Sequence, residues 1–153
     1  PVKPCTCTNG AVSRYLSRVS GPLLDRLDLH VEVPPVEYEA LESSEPAESS
    51  LSIRQRVSRA REVQNRRYQS LSVTCNARLP SHLLREVCQT TADARRLLQQ
   101  AFDRLGLSAR AYDRVLKVAR TIADLDGADV IDSQHISEAV QYRSLDRKYW
   151  HNR

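Results

Sequence analysis

The stretch from Ser108 to Gly127 carries Ala111, Tyr112, Val115, Leu116, Val118, Ala119, Ile122 and Leu125 at helical spacing, and it constrains the fold more than any other part of the chain. Apolar residues that recur three and four positions apart fall along one side of a helix. Here they cover so wide an arc that the helix needs neighbours on several sides, so it is expected at the centre of a bundle. Ser108 suits the N-cap, where a hydroxyl accepts from an otherwise unpaired N–H. Gly127 stands where a left-handed residue closes a helix. Aromatic residues are only 5% of the 153 residues. The core must therefore come from Leu, Val, Ile and Ala, which suits packed helices better than a sandwich.

Three further helices read in the same way. Ile53, Val57, Ala60 and Tyr68 share one face of a helix over 51–68, with Arg56, Arg59, Arg66 and Arg67 on a neighbouring face. Ala94, Leu97, Leu98, Ala101, Phe102 and Leu105 give the next, closed by Gly106, and Ser133 opens a last helix with Ile136, Ala139 and Val140. A short helix from Pro80 to about Cys88 completes the bundle, and 71–79 reads as irregular. Upstream, residues 11–19 have helical composition. Leu27, Leu29, Val31 and Val33 then alternate with Asp28, His30 and Glu32, the period of a half-buried strand, which Pro34-Pro35 stops. The fold class expected is mainly α: a helical bundle preceded by a short helix-strand piece. The divisions are 1–35 for that piece, 36–50 for an acidic flexible loop, 51–147 for the bundle and 148–153 for a tail.

Formal net charge is +4, but the charges are segregated. Glu37, Glu39, Glu42, Glu45 and Glu48 are followed at once by Arg54, Arg56, Arg59, Arg61, Arg66 and Arg67, with Glu62 the only acid between them. Such a reversal separates a solvated loop from a basic helix, whose Arg56, Arg59, Arg66 and Arg67 are candidates for nucleic-acid phosphates, or else a solvated outer face. No apolar run approaches a membrane span and nothing resembles a signal peptide, so a cytoplasmic protein without membrane contact is expected. With no methionine and a first residue of proline, the sequence reads as a piece of a longer protein.

Two arginines sit in short motifs. Arg26 lies in Ser20-Gly21-Pro22-Leu23-Leu24-Asp25-Arg26-Leu27, and Arg110 lies in Leu107-Ser108-Ala109-Arg110-Ala111-Tyr112-Asp113-Arg114. Arginine stays charged and its fork of donors fits phosphate oxygens. On the residues alone, Arg26 could equally pair with Asp25, Asp28 or Glu32, and Arg110 with Asp113. Arg114, one turn beyond Arg110, reads as a solvated residue rather than a helper. No G-x-x-x-x-G-K-[ST] run exists among four glycines.

The order of these parts resembles the end of an AAA+ core followed by its helical lid. The match is to the magnesium chelatase-like group that includes the competence protein M ATPases. The resemblance is carried by the run from Arg14 to Pro34, by Arg56-Val57 with Ala60-Arg61-Glu62-Val63-Gln64, by the run from Leu107 to Leu125, and by His135-Ile136, Glu138-Ala139, Gln141-Tyr142-Arg143 and Leu145-Asp146-Arg147. It implies a ring-forming ATPase, a homo-oligomer acting on DNA in competence or recombination, with ATP and Mg2+ bound in the complete protein. It implies that Arg26 is a finger reaching a neighbouring subunit's nucleotide, and that Arg110 is the lid sensor at the γ-phosphate. This piece, lacking phosphate-loop motifs, is expected to be monomeric, inactive and free of cofactor by itself.

Alternatives from other classes are a magnesium chelatase subunit serving metal insertion, a non-enzymatic helical DNA-binding module, and a helical adaptor for protein. Cys5 and Cys7 form a C-x-C pair that suits one edge of a zinc site, and the resemblance implies half of a site completed upstream. No metal is expected here. Cys88 reads as core, and His30 and His135 as structural.

Overall fold

The computed structural model describes residues 4–42 and 47–143, with the backbone alone for Glu39 and Ala40. Residues 144–147 of the expected bundle and the 148–153 tail lie outside the described residues. The elements in chain order are α1 (Asn9–Leu16), α2 (Gly21–Leu24), α3 (Tyr38–Glu42), α4 (Ser50–Arg67), α5 (Leu84–Val87), α6 (Ala92–Leu105), α7 (Ala109–Asp126) and α8 (Ser133–Gln141). Two 3-10 turns, Asn76–Arg78 and Ser81–Leu83, fall between α4 and α5.

The bundle is built as its periodicity requires. Helix α7 packs against α8 and α4, and α6 packs on α8, so α7 is central. Ala94, Ala119, Ala123 and Ala139 are each no more than 1% exposed. Side chains this small let helix axes approach closely. Leu98, Val115, Leu116, Ile131 and Ile136 fill the remaining space. Ser108 caps α7, its Oγ accepting from Ala111 N at 3.1 Å, and Thr91 caps α6 likewise at 3.2 Å. Gly106 and Gly127 close α6 and α7 with φ of 57° and 72°, a backbone that costs any residue with a Cβ. Asp132 caps α8 in a box whose return bond goes from Asp132 N to His135 Nδ1 at 3.0 Å, so His135 is structural.

Four expectations are corrected. The strand over 27–33 does not form. Among the described residues the only β pairing is a bridge between Thr90 and Ile131, and Leu27, Leu29, Val31 and Val33 are all exposed. Alternation prepares a segment for a sheet, but the ladder needs a neighbouring strand to supply its hydrogen bonds. The 36–50 loop is not wholly irregular, because Tyr38–Glu42 forms the helical turn α3 and Ser50 already belongs to α4. The irregular 71–79 stretch contains the Asn76–Arg78 turn, with Asn76 buried. The apolar stripe of α4 is used only in its second half. Ala60, Gln64 and Tyr68 are buried while Ile53 and Val57 stay exposed, since residues 50–59 extend past the bundle.

Between residues 4 and 36 only Leu24 and His30 are buried. That segment rests on the bundle through α7 and the end of α8, and the contacts that hold it there include the candidate site.

Candidate functional site

The Leu-Leu-Asp-Arg turn and the Ser-Ala-Arg helix start are far apart in sequence and adjacent in space. Gly21–Leu24 make one helical turn, opened by Ser20 accepting from Leu23 N at 3.3 Å and by Pro22 near its start. Pro22 suits the first turn because its missing N–H would have no partner there. Leu24 is buried and anchors the turn, which brings Asp25 onto the first turn of α7. Ser108 Oγ donates to Asp25 Oδ2 at 3.1 Å. A carboxylate there also meets the positive end of the α7 peptide dipoles.

Further ties follow along the chain. Arg143 Nη1 donates to the Leu27 carbonyl at 2.5 Å, and Nη2 lies 3.5 Å from Asp25 Oδ1. Arg114 Nε is 2.7 Å from Asp28 Oδ1. His30 N donates to the Tyr142 carbonyl at 2.8 Å. Arg114 is therefore not simply solvated, but ties the segment after α2 to α7.

These ties leave Arg26 and Arg110 uncommitted. Both are exposed, and among the described residues neither side chain takes part in a hydrogen bond or ion pair. The alternative partners are engaged elsewhere: Asp25 with Ser108 and Arg143, Asp28 with Arg114, and Asp113 with Ser81 Oγ at 2.5 Å. The arrangement therefore presents two permanent positive charges on adjoining segments, with Asp25, Asp28 and Asp113 turned to other partners.

The basic face of α4 divides. Arg59 and Arg66 are exposed, as is Arg54 on another side of the helix. Arg56 is held by Glu48 at 2.7 and 3.1 Å, and this pairing keeps the Glu48 carboxyl below its ordinary value. Arg67 faces inward, and this corrects its place among the nucleic-acid candidates. Its guanidinium binds Asp124 at 2.5 and 2.9 Å, which raises its own pKa. Asp124 also accepts from Arg120 Nε at 3.1 Å and from Asn76 Nδ2 at 2.8 Å, and Tyr68 donates to Asn76 Oδ1 at 2.7 Å. Arg120 in turn donates to the carbonyls of Ala128 and Asp129. Sequence reasoning missed this network. The signal was there: Arg120 and Asp124 stand four apart within the apolar face of α7.

Cys5 and Cys7 are both exposed free thiols, with hydrogen bonding from Cys7 holding Cys5 below its usual range. Among the described residues no group of three or more His, Cys, Asp or Glu could hold a metal ion. Cys88 is buried, and burial pushes its thiol up to about 11. Among the same residues no helix is long and apolar enough to cross a membrane.

The family model described as magnesium chelatase, subunit ChlI C-terminal, matches residues 47–143, and that described as magnesium chelatase, subunit ChlI, matches residues 1–41. The chain is 45% identical over 146 residues to the uncharacterized protein YifB of Escherichia coli (strain K12), covering 95% of this chain and 28% of that protein. It is 41% identical over 137 residues to competence protein ComM of Haemophilus influenzae, covering 89% of this chain and 26% of the relative. An uncharacterized protein of Mycobacterium tuberculosis, Rv2897c, is 36% identical over 139 residues, 91% of this chain and 27% of its own length. The chain thus spans little more than a quarter of the curated relatives it matches. A helical bundle matched over 47–143, with its preceding turn matched over 1–41, belongs to the magnesium chelatase subunit ChlI family.

Proposed function

We propose that the complete protein is a magnesium chelatase-like AAA+ ATPase working as a homo-oligomeric ring on DNA. This chain supplies two of its phosphate-facing cations, Arg26 from a subunit edge and Arg110 from the lid. The observation that carries the reading is the hydrogen bond between Ser108 and Asp25 at 3.1 Å, which sets on adjoining segments two exposed arginines whose side chains have no partner among the described residues. Charge that builds on a transferring phosphoryl group is best met by fixed cations held away from competing acids. In this role Arg26 addresses the nucleotide of a neighbouring subunit, and Arg110 ties the position of α7 to the presence of the γ-phosphate. The ligand that fits is a triphosphate, with Mg2+ held by parts of the complete protein that this chain does not contain. The compartment in this reading is the cytoplasm, where ATP is supplied.

The DNA part of the reading draws on α4, whose exposed Arg59 and Arg66 lie on a helix that projects beyond the bundle. The name of the Haemophilus relative, a competence protein, favours DNA over metal insertion into a porphyrin. The test is the complete protein carrying Arg26→Ala. ATP binding should persist while hydrolysis falls by about three orders of magnitude or more. Full turnover would remove Arg26 from the site.

A further inference from the structure

We propose that Asp25 and Arg143 are positioning residues: with Ser108 they latch the Leu-Leu-Asp-Arg turn to the lid and so fix where Arg26 stands. This rests on the reading of Arg26 as the phosphate-facing cation. The apolar hold on the segment is thin, since Leu24 and His30 are its only buried residues between positions 4 and 36. Segments with few buried contacts open locally at small cost unless polar contacts hold them.

Here the polar contacts converge on the residue next to Arg26. Asp25 takes the Ser108 hydroxyl on one oxygen and faces Arg143 with the other. Arg143 is 2% exposed and also clamps the Leu27 carbonyl, on the far side of Arg26. The two residues flanking Arg26 are thus held by Arg143, just after α8, and Asp25 also by the N-cap of α7. Pulling a carboxylate away from a buried guanidinium is costly, so the latch favours the arrangement seen here. Ser108 lies two residues before Arg110, so a shift of the α7 start that moves Arg110 also moves the anchor of Arg26. Lid position then sets finger position.

The test uses the complete protein in single-turnover ATP hydrolysis, with ATP affinity measured by equilibrium binding. Asp25→Ala and Arg143→Lys are each made alone and in the Arg26→Ala background. Displacing a catalytic group by about 1 Å can cost on the order of 100-fold, so Asp25→Ala should slow hydrolysis by about that factor with ATP affinity unchanged. Arg143→Lys keeps the charge but not the fork, and should show a smaller loss in the same direction. In the Arg26→Ala background neither change should slow the reaction further. Wild-type hydrolysis in Asp25→Ala, or a loss that multiplies with that of Arg26→Ala, overturns the latch. Wild-type hydrolysis in Arg26→Ala alone instead defeats the underlying reading, and that single variant distinguishes the two failures. If Asp25→Ala does not fold, Asp25→Asn is read by the same criteria, because it keeps an acceptor for Ser108 and removes only the charge opposite Arg143.

Discussion

Arg67, in the last turn of α4, grips Asp124 on α7 through two guanidinium nitrogens at 2.5 and 2.9 Å, although the two residues are 57 apart in sequence. The same carboxylate serves Arg120 and Asn76, so one acid joins α4, the Asn76–Arg78 turn and α7. The Asp124 side chain is fully buried, and that of Arg120 is 1% exposed. Removing one partner from such a cluster leaves a charge in a poorly solvated place.

Asp124→Ala should therefore destabilise the bundle by about 3–5 kcal/mol, read by urea unfolding of the chain. Domains of this size have total stabilities of about 5–15 kcal/mol, so this variant should stand near the threshold of folding. Arg67→Ala should cost less, because Arg120 and Asn76 still satisfy the carboxylate. A loss under about 1 kcal/mol for Asp124→Ala would show that the network is dispensable.

Arg110→Ala is expected to do the opposite. Its side chain is exposed and without a partner among the described residues, so stability should change by no more than about 0.5 kcal/mol. In the complete protein, ATP hydrolysis should slow and ATP-dependent assembly should weaken, measured by turnover and sedimentation. Normal values for both would leave Arg110 a surface residue.

On DNA, Arg59→Ala with Arg66→Ala should lower the slope of log affinity against log salt by about two, one for each lost phosphate contact. Arg56→Ala should change it less, since Glu48 already neutralises that cation. The measurement is a salt titration of binding to duplex of fixed sequence. An unchanged slope in the double variant would make this face merely solvated.

Cys88 gives a pH dependence. Its folded pKa is raised from 9.0 to about 11 by burial, so between those values the folded state holds a proton that the unfolded state has released. Stability is unaffected below pH 9 and declines as pH rises through 11, by a total of about 3 kcal/mol. Burial also raises Tyr68 above 10.0, which adds a decline of the same sign at higher pH. Cys88→Val should flatten the curve between pH 9 and 10 in denaturant melts at successive pH values. A slope identical to that of the parent would remove Cys88 as its source.

Much of the bundle was legible in the sequence because a buried helix face needs no remote information. The stripes of α6, α7 and α8 and the ends at Ser108, Gly106 and Gly127 are local properties, satisfied within a turn or two. The face of α4 was misjudged by geometry that the sequence did contain. At 100° per residue, Arg67 falls about 20° from the buried Ala60, on the inward side rather than beside Arg59 and Arg66. The segment from Leu27 to Val33 was misread for a different reason. Its alternation is real, but strands exist only in pairs, and among the described residues none lies alongside it.

The sequence by itself determined the long helices of the bundle, where α6 and α7 stop, and which two motifs carry arginines suited to phosphate. Helical hydrogen bonds and caps connect near neighbours, so chain order suffices to specify them. Only the tertiary structure decided which arginines remain available. Whether a cation faces solvent, as Arg26 and Arg110 do, or is held by an acid, as Arg67 and Arg114 are, depends on which acid the folded chain brings within about 3 Å. Those acids come from other elements: Asp124 from α7 for Arg67, and Asp28 from the segment after α2 for Arg114.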